Sequence, residues 1–296
     1  MNDIAAAPAA SVRPLPPQPG YLASSFRIFD LSLSEMLWSR RTVFMLLVVT
    51  APVLIALFLR LLVWLGAPIL DNRDVRDGVT TTIRMTGPGI FGLMIWIFYL
   101  RFTVPVLGVF YGTSLMADEV EDKTITYLFT RPIPRSAVLV GKYLAYLVCT
   151  IFVVLPAVVL IWLLIVPIGG SLGQGFPDLL KDLGLLALGL VVYGALFALV
   201  GAVFKRPLLA GLVFVFGWET VVMALPGTLK RFTVAFYLRG LVPHTMPANS
   251  PMSIIESLFR ETPPLTLCLF WLVTITLVSL YLAGRAVTNR EYVLEQ

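Results

Sequence analysis

The chain has 296 residues, 58% of them hydrophobic and 13% charged, where a soluble domain carries about a quarter charged. That balance excludes a soluble single-core protein, and the net charge of +5 does not point to nucleic acid, because the basic residues stand singly or in pairs at the ends of apolar blocks. The two cysteines, Cys149 and Cys268, each lie inside an apolar block, which argues against a disulfide framework and predicts buried thiols.

The pattern predicts an all-α integral membrane protein with six transmembrane helices. Residues 1–22, rich in Ala and Pro without an apolar run, read as a disordered tail. Over 23–41 an interfacial helix is expected, with Phe26, Phe29, Leu33, Met36 and Leu37 on one stripe and Arg27, Asp30, Ser34 and Glu35 off it. The membrane domain covers 42–290. Arg40 and Arg41 mark the water boundary, and Thr42 to Gly66 forms the first span, with Arg60 snorkelling at its far end. Asp71 to Gly78 mixes acids with arginines and reads as a solvated loop.

Pro88 opens a second span running to Met116, and the polar stretch 117–135 follows. The third span, Val138 to Val166, contains Pro156, expected to kink it. Gly169 to Asp182 reads as a connection. Leu183 to Phe204 is the fourth span, carrying Gly184, Gly189, Gly194 and Gly201 for close helix approach. After the basic turn Lys205-Arg206-Pro207, the fifth span is Leu208 to Leu225 and the sixth Leu265 to Ala283, ended by Gly284 and Arg285. The link between them, within 226–264, is a long outer loop with Ile254, Ile255, Leu258 and Phe259 on one helical face. Residues 291–296 form a tail. No internal repeat is evident, against the repeat architecture of many secondary transporters.

An even number of spans leaves both termini on one side. The basic pairs Arg40-Arg41 and Lys205-Arg206 abut span ends while the opposite loops mix in acids, so the termini are expected in the cytoplasm of a multi-pass cell (inner or plasma) membrane protein.

The most informative stretch is the 117–135 connector. It places four carboxylates, Asp118, Glu119, Glu121 and Asp122, before Thr124, Tyr127, Leu128 and Phe129, then ends in Arg131-Pro132-Ile133-Pro134-Arg135. Asp122 or Thr124 can cap a short helix beginning near Lys123. Pro132 disfavours helical backbone at Arg131 and stops that helix. A helix of about two turns between two membrane helices transmits force if a partner grips it, with Tyr127, Leu128 and Phe129 as anchors; an ordinary charged loop is the alternative.

The acidic cluster, the Thr, the Tyr-Leu pair, Arg-Pro-Ile-Pro-Arg and the Gly141-Lys142 opening the third span resemble the permease subunits of the type 2 ABC exporters. The resemblance implies a short cytoplasmic coupling helix between spans two and three, seated on a separate ABC ATPase subunit. It further implies a second permease copy, as a homodimer, and ATP-driven switching of an export pathway. Glu119 and Glu121 match the family's acidic positions; Thr124, Tyr127, Leu128, Arg131, Pro132 and Arg135 match the segment after them, with Phe129 beside them as an anchor. No cofactor is expected in this chain, ATP and Mg being bound by the partner ATPase. The phosphate-cradling loop of an ATPase ends Gly-Lys-Ser/Thr; here Gly141-Lys142 precedes Tyr143 and lacks the upstream glycine.

Arg101 and Glu219 fall inside the second and fifth spans, each roughly 20 Å from the end expected in the cytoplasm at 1.5 Å per residue. Opposite charges at one depth suggest a pair, between these spans or across a dimer, serving helix packing or the pathway wall. His244 is assigned no role, and Tyr193 and Trp218 read most simply as lipid or helix packing residues, with lining of the pathway as the alternative. Three other readings stay open: a membrane enzyme, for which one histidine and no intramembrane aspartate supply poor chemistry; an ATPase-coupled assembly or anchor protein; and an ion-driven secondary transporter using Glu219.

Overall fold

The computed structural model describes residues 20–66, 72–76, 79–83, 87–116, 135–225, 228–242 and 263–289. Its membrane-embedded body is helical. Helix α1 spans Tyr21–Leu37 and α2 spans Arg40–Trp64. Next come α3 (Gly87–Met116), α4 (Arg135–Ile165), α5 (Leu172–Val203), the shorter α6 (Pro207–Met223), a return helix α7 (Val234–Gly240) and α8 (Leu265–Asn289). Five of these, α2, α3, α4, α5 and α8, are long and apolar enough to cross a membrane. The expected fifth span is α6, which at 17 residues rises about 26 Å, just short of a hydrocarbon layer of about 30 Å.

The loop expected at Asp71 to Gly78 takes part in a small antiparallel hairpin. Strand β1 (Asn72–Arg76) pairs with β2 (Val79–Ile83), with Asn72 opposite Ile83 and Arg76 opposite Val79. A second departure concerns Gly169 to Asp182. Helix α5 begins at Leu172, eleven residues before the expected span, and runs through Pro177. Its 32 residues rise about 48 Å, so it is longer than a bilayer needs, and Lys181 and Asp178 form an exposed ion pair in its early turns at 2.9 Å. Asp182 is fully buried rather than solvated. Helix α4 likewise continues through Pro156.

Helices α3 and α5 sit at the centre, and α2 and α8 are the most peripheral. Leu47, Leu57, Phe58, Phe270, Leu277 and Tyr281 stand exposed on those outer helices. Such a coat is stable only against lipid, since every exposed apolar group costs free energy in water. The centre is close-packed because its glycines remove side chains at crossings. Gly194 lies against the Tyr146 ring, Gly201 against the Thr113 backbone and Gly189 against Val104, whereas Gly184 faces open space. From the other side, Gly108 and Gly112 of α3 admit Tyr193 and Phe197 of α5.

Hydrogen bonds reinforce those crossings. Tyr143 and Tyr146 of α4 donate to the Val191 and Leu190 carbonyls of α5 at 2.8 and 3.1 Å, and Tyr99 of α3 donates to the Val49 carbonyl of α2 at 3.4 Å. The Gly87 amide that opens α3 donates to the Ile168 carbonyl at 2.8 Å, tying that end to the α4–α5 turn. Gly169, with φ of 74°, supplies the left-handed residue of that turn. Both cysteines are buried and free.

Helix α1 packs across α4 at Gly141, where an added Cβ would meet the Ser25 carbonyl oxygen at 2.7 Å. Ser25 Oγ also donates to the Ala137 carbonyl at 3.3 Å. The face of α1 turned to the protein is thus Ser24, Ser25, Ile28 and Ser32, all buried, with Phe29, Leu33 and Met36 half-buried. Of the apolar stripe read from sequence, Phe26 and Leu37 are exposed, together with Leu22 and Leu31. The helix therefore has one face for the bundle and apolar groups left for lipid, as an interfacial helix requires.

Candidate functional site

Helices α3 and α6 are not regular. Wide π-turns occupy Ile95–Thr103 and Gly108–Gly112 in α3 and Val213–Glu219 in α6. Pro105 gives a local cause in α3, because it lacks the amide that would bond back to the Arg101 carbonyl. Such turns break the regular side-chain ladder and are frequent at functional sites. Here they frame one small cavity of about 30 Å³, lined by Trp96, Arg101, Tyr193, Glu219, Thr220 and Ala235 among others.

Glu219 is 5% exposed. Its Oε2 accepts a hydrogen bond from the Tyr193 hydroxyl at 2.5 Å, and its Oε1 accepts one from the Val234 amide at 3.1 Å. One carboxylate thereby joins three elements: its own helix α6, the central helix α5 and the first turn of α7. The chain can make that junction because it turns back after α6. A 3₁₀ turn at Thr228–Phe232 and then α7 return the backbone alongside Glu219, with the Thr233 hydroxyl donating to the Lys230 carbonyl at 2.7 Å just ahead of α7. Burying an acid is costly unless hydrogen bonds compensate, and an amide of a first helical turn is a donor left over from the helix's own bonding.

Arg101 lines the same cavity from the α3 side and is exposed. No ion pair within 4.0 Å joins it to Glu219; the two charges share a cavity, and the acid takes hydrogen bonds from Tyr193 and Val234. Next to Arg101's helix, the guanidinium carbon of Arg239 in α7 lies 5.3 Å from the Trp96 ring centroid, a cation–π contact. Tyr193, read from sequence as packing or pathway lining, lines the cavity and holds Glu219, while Trp218 is 44% exposed. Its role follows from the return of α7 beside α6, which no local pattern encodes. The arginine and the acid themselves were legible as charges in apolar blocks.

The connector residues Glu119, Glu121, Thr124, Tyr127, Leu128, Phe129, Arg131 and Pro132 lie outside the described residues, as do His244, Ile254, Ile255, Leu258 and Phe259. Arg135 is the first residue of α4. Gly141, from the same motif, is the α1 crossing point. Among the described residues no cluster of His, Cys, Asp and Glu could hold a metal ion.

No curated protein matches the chain at a significant level. A family model described as ABC-2 family transporter protein, however, matches residues 26–285, from α1 through all the long apolar helices to the last turns of α8. With its coat of exposed apolar side chains and five helices fit to cross a bilayer, the chain belongs to the ABC-2 family of transporter proteins, as a multi-pass membrane permease.

Proposed function

We propose that the chain is the membrane-spanning subunit of an ATP-driven exporter in the cell membrane, working as a homodimer with a separate ABC ATPase that binds ATP and Mg. The observation that carries this reading is the family match over residues 26–285, together with the acidic and Arg-Pro-rich connector between α3 and α4. Glu119, Glu121, Thr124, Tyr127, Leu128, Phe129, Arg131, Pro132 and Arg135 couple to the ATPase from the cytoplasmic side, where both termini also lie. ATP-driven closure of the ATPase pair pushes on this connector. The push passes into α3 and α4, one at each end of it. Arg101 and Glu219 mark two walls of the pathway, brought to one cavity from α3 and α6.

Co-expression of the full chain with its ATPase tests the proposal. Photo-crosslinkers at Tyr127 or Phe129 should capture the ATPase, and Tyr127→Ala or Phe129→Ala alone should weaken ATPase retention by about thirtyfold, the loss expected from one aromatic hot spot of ~2 kcal/mol. Labelling of residues 118–135 from the external medium in intact cells would refute it.

A further inference from the structure

Arg101 is the middle residue of α3, a helix of 30 residues, and lies roughly 20 Å from either end at 1.5 Å per residue. Even a long side chain cannot snorkel to bulk water across that distance, so the charge has to be solvated where it stands. Among the described residues, no carboxylate lies within 4.0 Å of the Arg101 guanidinium, and nothing accepts a hydrogen bond from it. Arg101 nevertheless lines one cavity with Glu219, reaching it from an exposed position on α3 while the acid reaches it from a buried one on α6. Where opposite charges border one space without touching, water between them is the ordinary solution.

The cavity has the size and the lining for it. A volume of about 30 Å³ holds one or two waters at about 10–15 Å³ each, and nothing larger. A buried water also needs roughly two to four polar partners, which Arg101, Glu219, Tyr193 and Thr220 supply. Arg101 brings N–H donors. Glu219 accepts from the Tyr193 hydroxyl on one oxygen and from the Val234 amide on the other, and each oxygen keeps a further lone pair. The Tyr193 hydroxyl donates to Glu219 and the Thr220 hydroxyl to the Val215 carbonyl at 3.1 Å, so both oxygens are left to accept. Trp96, Leu100, Val215 and Met223 make the rest of the wall largely apolar and confine water to the polar corner. We infer that this is a water site, in which one or two waters accept from Arg101 and donate to Glu219, a water-separated ion pair joining α3 to α6. A water turns and exchanges partners, so α3 can shift against α6 without stranding either charge, whereas a direct buried pair would have to break. Arg101 is then a positioning residue, acting through water on the acid that holds Tyr193 and the start of α7. The inference concerns the chain by itself and stands whether or not an ATPase grips the connector.

The test is X-ray radiolytic footprinting of the full chain in lipid nanodiscs, where hydroxyl radicals formed from bound water oxidise the side chains beside it. Tyr193 and Tyr146 make the comparison, being one residue type and both fully buried, the first on the cavity and the second against Gly194 in the α4–α5 packing. Tyr193 should be oxidised about tenfold faster than Tyr146, and Arg101→Met should bring it to within about twofold of Tyr146. Equal oxidation of the two tyrosines in the native protein overturns the water site. Faster oxidation of Tyr193 that survives Arg101→Met at native melting temperature overturns the bridge. An arginine with a merely structural role would lower stability without moving this ratio. Arg101→Met combined with Glu219→Gln guards against loss of folding, because removing both charges strands neither. The double variant should lose less melting temperature than the two single losses added together, and strictly additive losses overturn the link. Folding of the double variant where Arg101→Met alone fails to fold supports it. Should neither fold, the native contrast between Tyr193 and Tyr146 decides alone.

Discussion

Two neighbouring helix contacts in this bundle are built in opposite ways. Between α4 and α5 the Tyr146 ring packs onto Gly194, and Tyr143 and Tyr146 donate to carbonyls of a regular helix. Around the cavity, α3 and α6 run through wide turns, and a buried acid holds Tyr193 and the start of α7. The first contact is filled by shape, with neutral hydrogen bonds between uncharged groups. The second leaves space, concentrates charge and depends on one carboxylate. A close-packed seam transmits a push as a rigid body, whereas a charged junction among irregular helices has few substitutes for each bond. The contrast assigns rigidity to the α4–α5 seam and rearrangement to the cavity.

The largest effect should come from overfilling the seam. Gly194→Leu drives a side chain into the Tyr146 ring and should cost about 3 kcal/mol, read as loss of monodisperse protein in detergent. Gly184→Ala serves as its control, since nothing lies within 4 Å of that position. It should gain about 0.5 kcal/mol from helix propensity alone. Equal damage at both positions would dissolve the distinction between glycines that admit a neighbour and glycines that do not.

Next in size is loss of the carboxylate. Glu219→Ala leaves the Tyr193 hydroxyl and the Val234 amide without their acceptor, at about 1–3 kcal/mol for each buried group left unmade. The loss should concentrate in α7. Hydrogen exchange at the Val234 amide should accelerate sharply, with the α4–α5 seam unchanged. Glu219→Gln, which keeps one acceptor oxygen and the shape, should fall between native and Ala. Protection lost equally across α4 and α5 would show that the acid supports the whole bundle instead of a junction.

The apolar blocks made the helices legible, because hydropathy over some twenty residues reports the solvent directly. Arg101 and Glu219 were legible for the same reason, as charges where few are tolerated. Helix α5 was read too short because Gly169, Gly170 and Pro177 look like punctuation, yet Pro177 is carried inside a helix whose first turns pack beside α4, with Phe176 edge-on to Trp162. The partners of Glu219 were not legible at all. They depend on a chain reversal after Met223 that brings residue 234 beside residue 219, a tertiary outcome rather than a period. Gly141 was noticed for its place in a motif, while its packing role against Ser25 appears only once α1 is laid across α4.

The smallest effects sharpen the comparison most, because they place the same substitution on each side. Tyr143→Phe deletes one neutral hydrogen bond to a carbonyl that also belongs to a regular helix, and bonds of this kind in membrane bundles average about 0.6 kcal/mol. Tyr193→Phe deletes a bond to a carboxylate, and bonds to charged groups contribute about 1.5–3 kcal/mol. Thermal melting of the two variants in one detergent should therefore rank Tyr193→Phe as the more damaging by about a kcal/mol, although both remove a single hydroxyl from a buried or nearly buried ring. The gap should vanish in a Glu219→Gln background, where the acceptor is no longer an acid. If it persists there, the ring's packing rather than the charged bond sets the difference, and the cavity junction is held together by shape as the α4–α5 seam is.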